Sequence, residues 1–123
     1  MHLMMDLYDC DPKTLNDKNL VKNVLDILPE KLGMKKLMEP YVLFANPNAQ
    51  KDPGGWSGFV VIQESHISIH TFIKRRFVTI DVYSCKEFDV KEAIDYFKKT
   101  FNTNEAEIYE EKRGRKYPEK DID

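Results

Sequence analysis

Cysteine is scarce in this sequence of 123 residues, which contains only two, Cys10 and Cys85. They stand far apart, and neither belongs to a CxxC motif or to a Cys/His spacing typical of zinc ligands. The sequence therefore indicates neither a disulfide framework nor a metal site. Cys10, in a segment predicted to begin with a strand, is expected to be a small buried hydrophobic residue.

The sequence also lacks a strong charge of either sign and any long apolar run. The formal net charge is -2 and the pI is near 5.9, which argues against a nucleic-acid partner. An acidic residue, Asp6, comes too early for a signal peptide, and no apolar stretch approaches the length of a membrane span. We therefore expect a protein of the cytoplasm, with no membrane partner.

The remaining composition is that of a folded domain. Hydrophobic residues make up 41% and charged residues 33% of the chain, and a chain of this length buries a core without disulfides or metals. We expect one domain over residues 1–123.

Hydrophobic periodicity predicts two helices. Apolar residues from Leu20 to Leu28 recur at helical spacing after an N-cap at Asn16 or Asp17, and this helix is expected to end or kink near Pro29. Gly33 offers a helix stop just beyond it. Asp89, with an acid three residues later, predicts the N-cap of a second helix.

Strands are predicted over 3–8, 36–44, 58–62, 66–72, 77–84 and 106–110, the second being an edge strand weakened by its proline. Residues 46–55 are expected to form a surface loop. The charged end from 112 onward is expected to be a solvated tail, the less favoured alternative being phosphate or substrate binding by Arg113 and Arg115. So few helices cannot connect a parallel sheet. The predicted fold class is therefore α+β, a two-layer sandwich of a mainly antiparallel sheet with two helices on one face.

Strand alternation separates a core face from a polar face in the centre of the chain. Ile67 and Ile69 point to the core side, and the polar residues fall on the other: His66, Ser68 and His70. If the next strand pairs with this one, His70 and Cys85 share the non-core face. A polar row of this kind is typical both of wet surface and of a site, so periodicity leaves the two interpretations open.

One motif distinguishes them. The run Glu64-Ser65-His66-Ile67-Ser68-Ile69-His70-Thr71 resembles the processing-site motif of the prokaryotic S-adenosylmethionine decarboxylases. Three further segments resemble that family at similar spacing: Ser57-Gly58, Asp81-Val82-Tyr83-Ser84-Cys85 and Leu7-Tyr8-Asp9-Cys10-Asp11. The resemblance covers most of the chain and is weakest over 40–56.

The resemblance implies that the chain cuts itself between Glu64 and Ser65, giving a beta chain of residues 1–64 and an alpha chain of residues 65–123. Ser65 would become a pyruvoyl group that forms a Schiff base with the substrate amine. His70 would be the proton acceptor in processing, Ser57 would assist processing, and Cys85 would be the proton donor in decarboxylation. Neither a metal nor pyridoxal phosphate is implied.

The motif departs from the family after His70-Thr71. The family commonly continues with Trp-Pro-Glu, whose acid binds the ribose hydroxyls of the substrate, whereas this chain has Phe72-Ile73-Lys74. Phe72 can still stack on an adenine ring, but the ammonium of Lys74 cannot accept hydrogen bonds from sugar hydroxyls. Either another acid binds the ribose, or Lys74 faces water, or it meets a carboxylate of a different substrate.

Three hypotheses for the function follow. The first is decarboxylation of S-adenosylmethionine for spermidine synthesis; the second is pyruvoyl-dependent decarboxylation of another amino acid, such as arginine or ornithine. The third is a non-catalytic relative that is never cleaved. By the same resemblance the processed protein is expected to be a homodimer acting on a small molecule.

Overall fold

The computed structural model describes residues 1–48 and 54–116, which form one six-stranded antiparallel sheet with three helices. The strands are β1 (His2–Leu7), β2 (Tyr41–Ala45), β3 (Gly55–Ile62), β4 (Ser65–Phe72), β5 (Phe77–Ser84) and β6 (Ala106–Glu111). Their order across the sheet is β2-β3-β4-β5-β1-β6. The predicted fold class is confirmed. Of the predicted loop over 46–55, residues 49–53 lie outside the described residues.

Two helices match the prediction, and both begin at aspartate caps. They are α2 (Lys18–Lys31) and α3 (Val90–Thr100). The Asp17 carboxylate accepts a hydrogen bond from the Leu20 amide, and Asp89 accepts one from the Glu92 amide. Each cap satisfies an amide that has no partner within its helix.

A third helix, the four-residue α1 (Pro12–Leu15), was not predicted. Pro12 indicated only the end of the first strand. It also stands at the first position of α1, where its fixed φ is favourable and its missing N–H costs nothing.

Helix α2 continues past Pro29 and ends at Lys31, close to the predicted end. Gly33 then adopts φ +73, its amide donates to the Glu30 carbonyl, and the Met34 amide donates to the Pro29 carbonyl. This is the Schellman arrangement, in which the residue with positive φ terminates the helix. Gly33, not the proline, sets the end of α2.

Strand β2 is shorter than predicted and lies at an edge of the sheet, as Pro40 indicated. Proline directly precedes it, and proline cannot donate to a sheet ladder. Upstream, only an isolated bridge joins Lys36 to Ile62.

The core lies between the sheet and the helices. Alternate strand residues are fully buried together with one face of α2 and α3, as shown by Leu3, Ile67, Ile69, Leu25 and Phe97. The assignment of Ile67 and Ile69 to the core face, and of His66 and His70 to the opposite face, is confirmed.

Strand β1 connects the two halves of the chain. It lies between β5 and β6 and pairs with each over six positions, while β3 pairs with β4. A cut between residues 64 and 65 would leave β1 inserted in the sheet of the second fragment. No helix among the described residues is long and apolar enough to cross a membrane.

Candidate active site

The Glu64–Ser65 peptide bond lies where the turn between β3 and β4 enters β4. Ser65 is the first residue of β4 and is paired with Ile62 on one side and Ser84 on the other. Its φ of +156 is sparsely populated by residues with a side chain. The ladders on both sides hold Ser65 in this strained conformation, at the bond that the motif marks for cleavage.

Cys85 lies beside this bond. It directly follows β5, and its amide donates a hydrogen bond of 2.8 Å to the carbonyl oxygen of Glu64. The thiol is exposed. A backbone donor on this oxygen polarises the carbonyl and stabilises negative charge that develops on it.

The Glu64 side chain is also held in place. One carboxylate oxygen accepts a hydrogen bond of 3.2 Å from the Lys35 amide, and the other lies 3.5 Å from the ammonium of Lys86. The Gln63 amide donates to the Lys35 carbonyl at 2.8 Å. The turn is thereby attached to the segment that follows α2.

Ser57 and His70 form a second group of candidate residues. They face each other across the β3–β4 ladder, and the Ser57 hydroxyl lies 2.8 Å from the His70 Nδ1. Both belong to the outer, non-core face of the sheet. An imidazole in contact with a hydroxyl is suited to moving a proton.

The two groups stand at opposite ends of β4. His70 pairs with Thr79, whereas Ser65 pairs with Ser84 next to Cys85. The five residue-to-residue steps from Ser65 to His70 correspond to about 17 Å of strand. His70 and Cys85 are both exposed on the outer side, as predicted. They do not meet within one chain, however. Alternation determines on which face of the sheet a side chain lies, but not its position along the strand.

Phe72 lies in a row of aromatic rings beyond His70. Its ring centroid is 5.5 Å from that of Phe77, which lies 5.1 Å from that of Tyr8, with both pairs stacked. Lys74 lies in the 3-10 turn Ile73–Arg75 and is exposed, which agrees with the interpretation that it faces water.

Acidic groups lie beside this row. The Tyr8 hydroxyl donates to the Glu107 carboxylate, which raises the pKa of Tyr8 to about 12 and lowers that of Glu107. Burial, then the neighbouring charges of Glu107 and Asp81, raises the pKa of Asp6. This part of the outer face therefore favours a cationic or hydrogen-bond-donating ligand.

The sequence did not predict a role for Lys35 or Lys86 beside Glu64, nor the contact that Arg113 makes. Arg113 was assigned to a solvated tail, but its guanidinium lies 4.0 Å from the ring centroid of Tyr83. Together with Cys85 it lines a pocket of about 310 Å³. These contacts connect residues distant in sequence, so no local pattern indicated them.

Within the described part of the chain, no group of three or more His, Cys, Asp or Glu residues is placed to hold a metal ion. The candidate groups are instead a strained serine at a polarised peptide bond, a thiol, and a histidine–serine pair. With the α+β sandwich, they fit a protein of the decarboxylase class.

Comparison with known proteins identifies the family. The sequence profile of S-adenosylmethionine decarboxylase matches residues 1–114, and the chain belongs to this family. A protein of Pyrococcus furiosus is 32% identical over 114 residues, 92% of this chain and 77% of the relative. One of Bacillus velezensis is 32% identical over 113 residues, 92% and 84%. One of Clostridium botulinum is 31% identical over 115 residues, 93% of each chain. All three are named S-adenosylmethionine decarboxylase proenzyme.

Proposed function

We propose that this protein is a decarboxylase of S-adenosylmethionine that makes its own pyruvoyl group by cleavage between Glu64 and Ser65. The observation that carries the proposal is the Glu64–Ser65 bond itself, with Ser65 at φ +156 and the Glu64 carbonyl accepting from the Cys85 amide. The relatives are named proenzymes, which supports a chain that must be processed.

Processing begins with an acyl shift. The Ser65 hydroxyl oxygen adds to the Glu64 carbonyl carbon, and the charge that forms on the carbonyl oxygen is stabilised by the Cys85 amide. The carbon–nitrogen bond then breaks and the Ser65 nitrogen takes up a proton. The amide becomes an ester. Release of the backbone strain at Ser65 favours this shift.

Elimination and hydrolysis follow. A base removes the proton from the Ser65 Cα, the bond between Cβ and the ester oxygen breaks, and Glu64 leaves as a carboxylate. The remaining unsaturated amine tautomerises, and water hydrolyses it with release of ammonia. The alpha chain then begins with a pyruvoyl group. His70, assisted by Ser57, is the proposed base.

A second copy of the chain supplies that base. Within one chain, His70 lies about 17 Å along the strand from Ser65, too far for direct proton transfer. Two copies that pack their outer faces in opposite directions bring Cys85 and the Ser65 end of β4 of one copy toward Ser57 and His70 of the other. Each dimer then holds two such sites.

The surface next to Ser57 supports this pairing. Exposed apolar side chains cluster on the outer face of β2 and β3, with Leu43 directly opposite Ser57. Their exposed fractions are Tyr41 53%, Leu43 53%, Phe59 40% and Val61 39%. A contiguous apolar patch of this kind is typical of an interaction surface, and the separation of the two candidate groups within one chain supports a second copy as the proposed partner.

The pyruvoyl group, once formed, supplies an electron sink for the charge left when carbon dioxide departs. The residues around it have separate tasks. Cys85 returns a proton from its exposed thiol. The stacked row of Phe72, Phe77 and Tyr8 offers an apolar surface for the adenine ring. The carboxylate of Glu107 beside Tyr8 can accept from a ribose hydroxyl, so the acid absent at position 74 has a possible replacement.

Release of carbon dioxide from carboxyl-labelled substrate tests the assignment. We expect the processed protein to turn over S-adenosylmethionine and to leave arginine and ornithine unchanged. The uncleaved Ser65→Ala variant is the control and is expected to be inactive with all three. Turnover of arginine or ornithine alone would assign the chain to a different substrate, and an uncut wild type would favour a non-catalytic protein.

A further inference from the structure

Lys86 lies at the junction of three segments that meet around the cleavage bond. Its ammonium donates a hydrogen bond of 3.0 Å to the Gly33 carbonyl at the end of α2, and lies 3.5 Å from the Glu64 carboxylate. Its own amide donates to the Ser84 hydroxyl at 3.1 Å. The residue therefore connects the end of α2, the end of β5 and the turn before Ser65.

The contact differs from an ordinary surface ion pair. The Glu64 side chain is only 12% exposed, whereas Lys86 is 49% exposed. The carboxylate oxygen not facing Lys86 already accepts from the Lys35 amide. Lys86 thus provides the charge that compensates a largely buried carboxylate, and the negative end of the α2 dipole favours a cation at this place.

We propose that Lys86 is a positioning residue for self-processing, which holds the Glu64 side chain and so orients the Glu64–Ser65 carbonyl. The proposal rests on the proposed function above. Three contacts fix Glu64: the Lys35 amide and the Lys86 ammonium hold its side chain, and the Cys85 amide holds its carbonyl oxygen. With both ends of the residue held, its carbonyl cannot rotate away from the Ser65 hydroxyl. Lys86 itself exchanges no proton and forms no bond with the reacting atoms.

Measured cleavage rates of purified variants test this role. We expect Lys86→Met and Glu64→Gln each to slow cleavage by at least about tenfold, because a small displacement of a reacting group lowers a rate strongly. Lys86→Arg keeps the charge and the reach and is expected to stay within about threefold of wild type. Lys91→Met, in an ion pair with Asp95 on the exposed side of α3, is the matched control and is expected to be unaffected.

Two readouts separate positioning from a merely structural effect. The double variant E64Q/K86M is expected to be no slower than the slower single variant, because both changes remove the same contact. Hydroxylamine cleaves esters much faster than amides. The uncut K86M chain is therefore expected to resist it, because the fault precedes ester formation.

Cleavage of K86M and E64Q at the wild-type rate, or rate losses that multiply in the double variant, would overturn the role of Lys86 while leaving the proposed function intact. Release of fragments from uncut K86M by hydroxylamine would likewise overturn the role of Lys86 and leave the proposed function intact. An uncut wild type would instead count against the proposed function.

Discussion

The amide of Cys85 donates a hydrogen bond to the carbonyl oxygen of Glu64, at a distance of 2.8 Å. One residue thereby has two proposed tasks in the same place. Its backbone polarises the bond that is cut, and its exposed thiol stands beside the group that the cut creates. This contact depends on the pairing of Ser65 with Ser84, which aligns the end of β5 with the start of β4.

The first prediction concerns complementation between two copies of the chain. Ser65→Ala lacks the nucleophile and His70→Ala lacks the base, so each variant alone is expected to stay uncut. When they are co-expressed, mixed dimers place an intact His70 beside the intact Ser65 of the other variant. We expect intact-mass analysis to show cleavage of the His70→Ala chains. If they remain whole in proven mixed dimers, the site is not shared between copies.

The second prediction concerns thiol reactivity. Burial raises the pKa of Cys10 to about 11, so only about one thiol in a thousand is ionised at pH 8. Iodoacetamide at pH 8 is expected to label Cys85 in the native protein and to leave Cys10 unmodified. Cys85→Ala should take up no label until the chain is denatured. Rapid labelling of native Cys85→Ala would contradict the buried position of Cys10.

The same shift predicts a dependence of stability on pH. The folded-state pKa of Cys10 lies above the ordinary value of 9.0, so the folded chain favours the protonated thiol. Its contribution to the free energy of unfolding is complete below pH 9 and is lost as the pH rises toward about 11. Urea unfolding of Cys10→Ala is expected to lack this part of the decline. An identical decline in both proteins would assign it to other groups.

The sequence predicted the elements of the fold but not the position of residues along them. Alternation placed Ile67, Ile69 and His70 on the correct faces, and aspartate caps marked both long helices. The helix stop offered by Gly33 is also found, because its positive φ terminates α2. The distance between His70 and Cys85 depends on strand pairing, which periodicity does not specify. The Lys86–Glu64 contact joins separate segments and leaves no local signal.

A further prediction concerns close backbone packing near Ser57. A Cβ added to Gly55 would lie 1.8 Å from the Thr71 carbonyl oxygen, whereas one added to Gly58 would meet the Leu25 Cδ1 at 2.9 Å. Backbone cannot yield as a flexible side chain can. We expect Gly55→Ala to lower the free energy of unfolding by about 3 kcal/mol or more and Gly58→Ala by about 1 kcal/mol. Equal urea midpoints for the two variants would contradict this packing.

Another prediction concerns the aromatic row. If Phe72 supports the adenine ring, Phe72→Leu should raise KM for S-adenosylmethionine by about tenfold, the equivalent of about 1.4 kcal/mol of lost stacking. Lys74→Ala is the comparison variant, because that side chain is exposed in its turn, and we expect its KM to change little. Steady-state kinetics of processed protein would refute the role of Phe72 if KM were unaltered.

Native and denaturing separations should give different results for the processed protein. Since β1 is inserted between β5 and β6, the fragments are held by sheet pairing and by a common core. We therefore expect one species on a native sizing column, at the mass of a dimer, and two fragments only after denaturation. Elution of the fragments as separate species would contradict this sheet order.

The most direct test is the intact mass of the purified wild-type protein under denaturing conditions, with Ser65→Ala as the control. The proposed self-processing predicts two fragments, residues 1–64 and a second fragment from position 65 onward whose first residue is blocked to amino-terminal sequencing. Ser65→Ala should give one uncut chain. A wild-type chain that stays whole after long incubation would contradict the central claim.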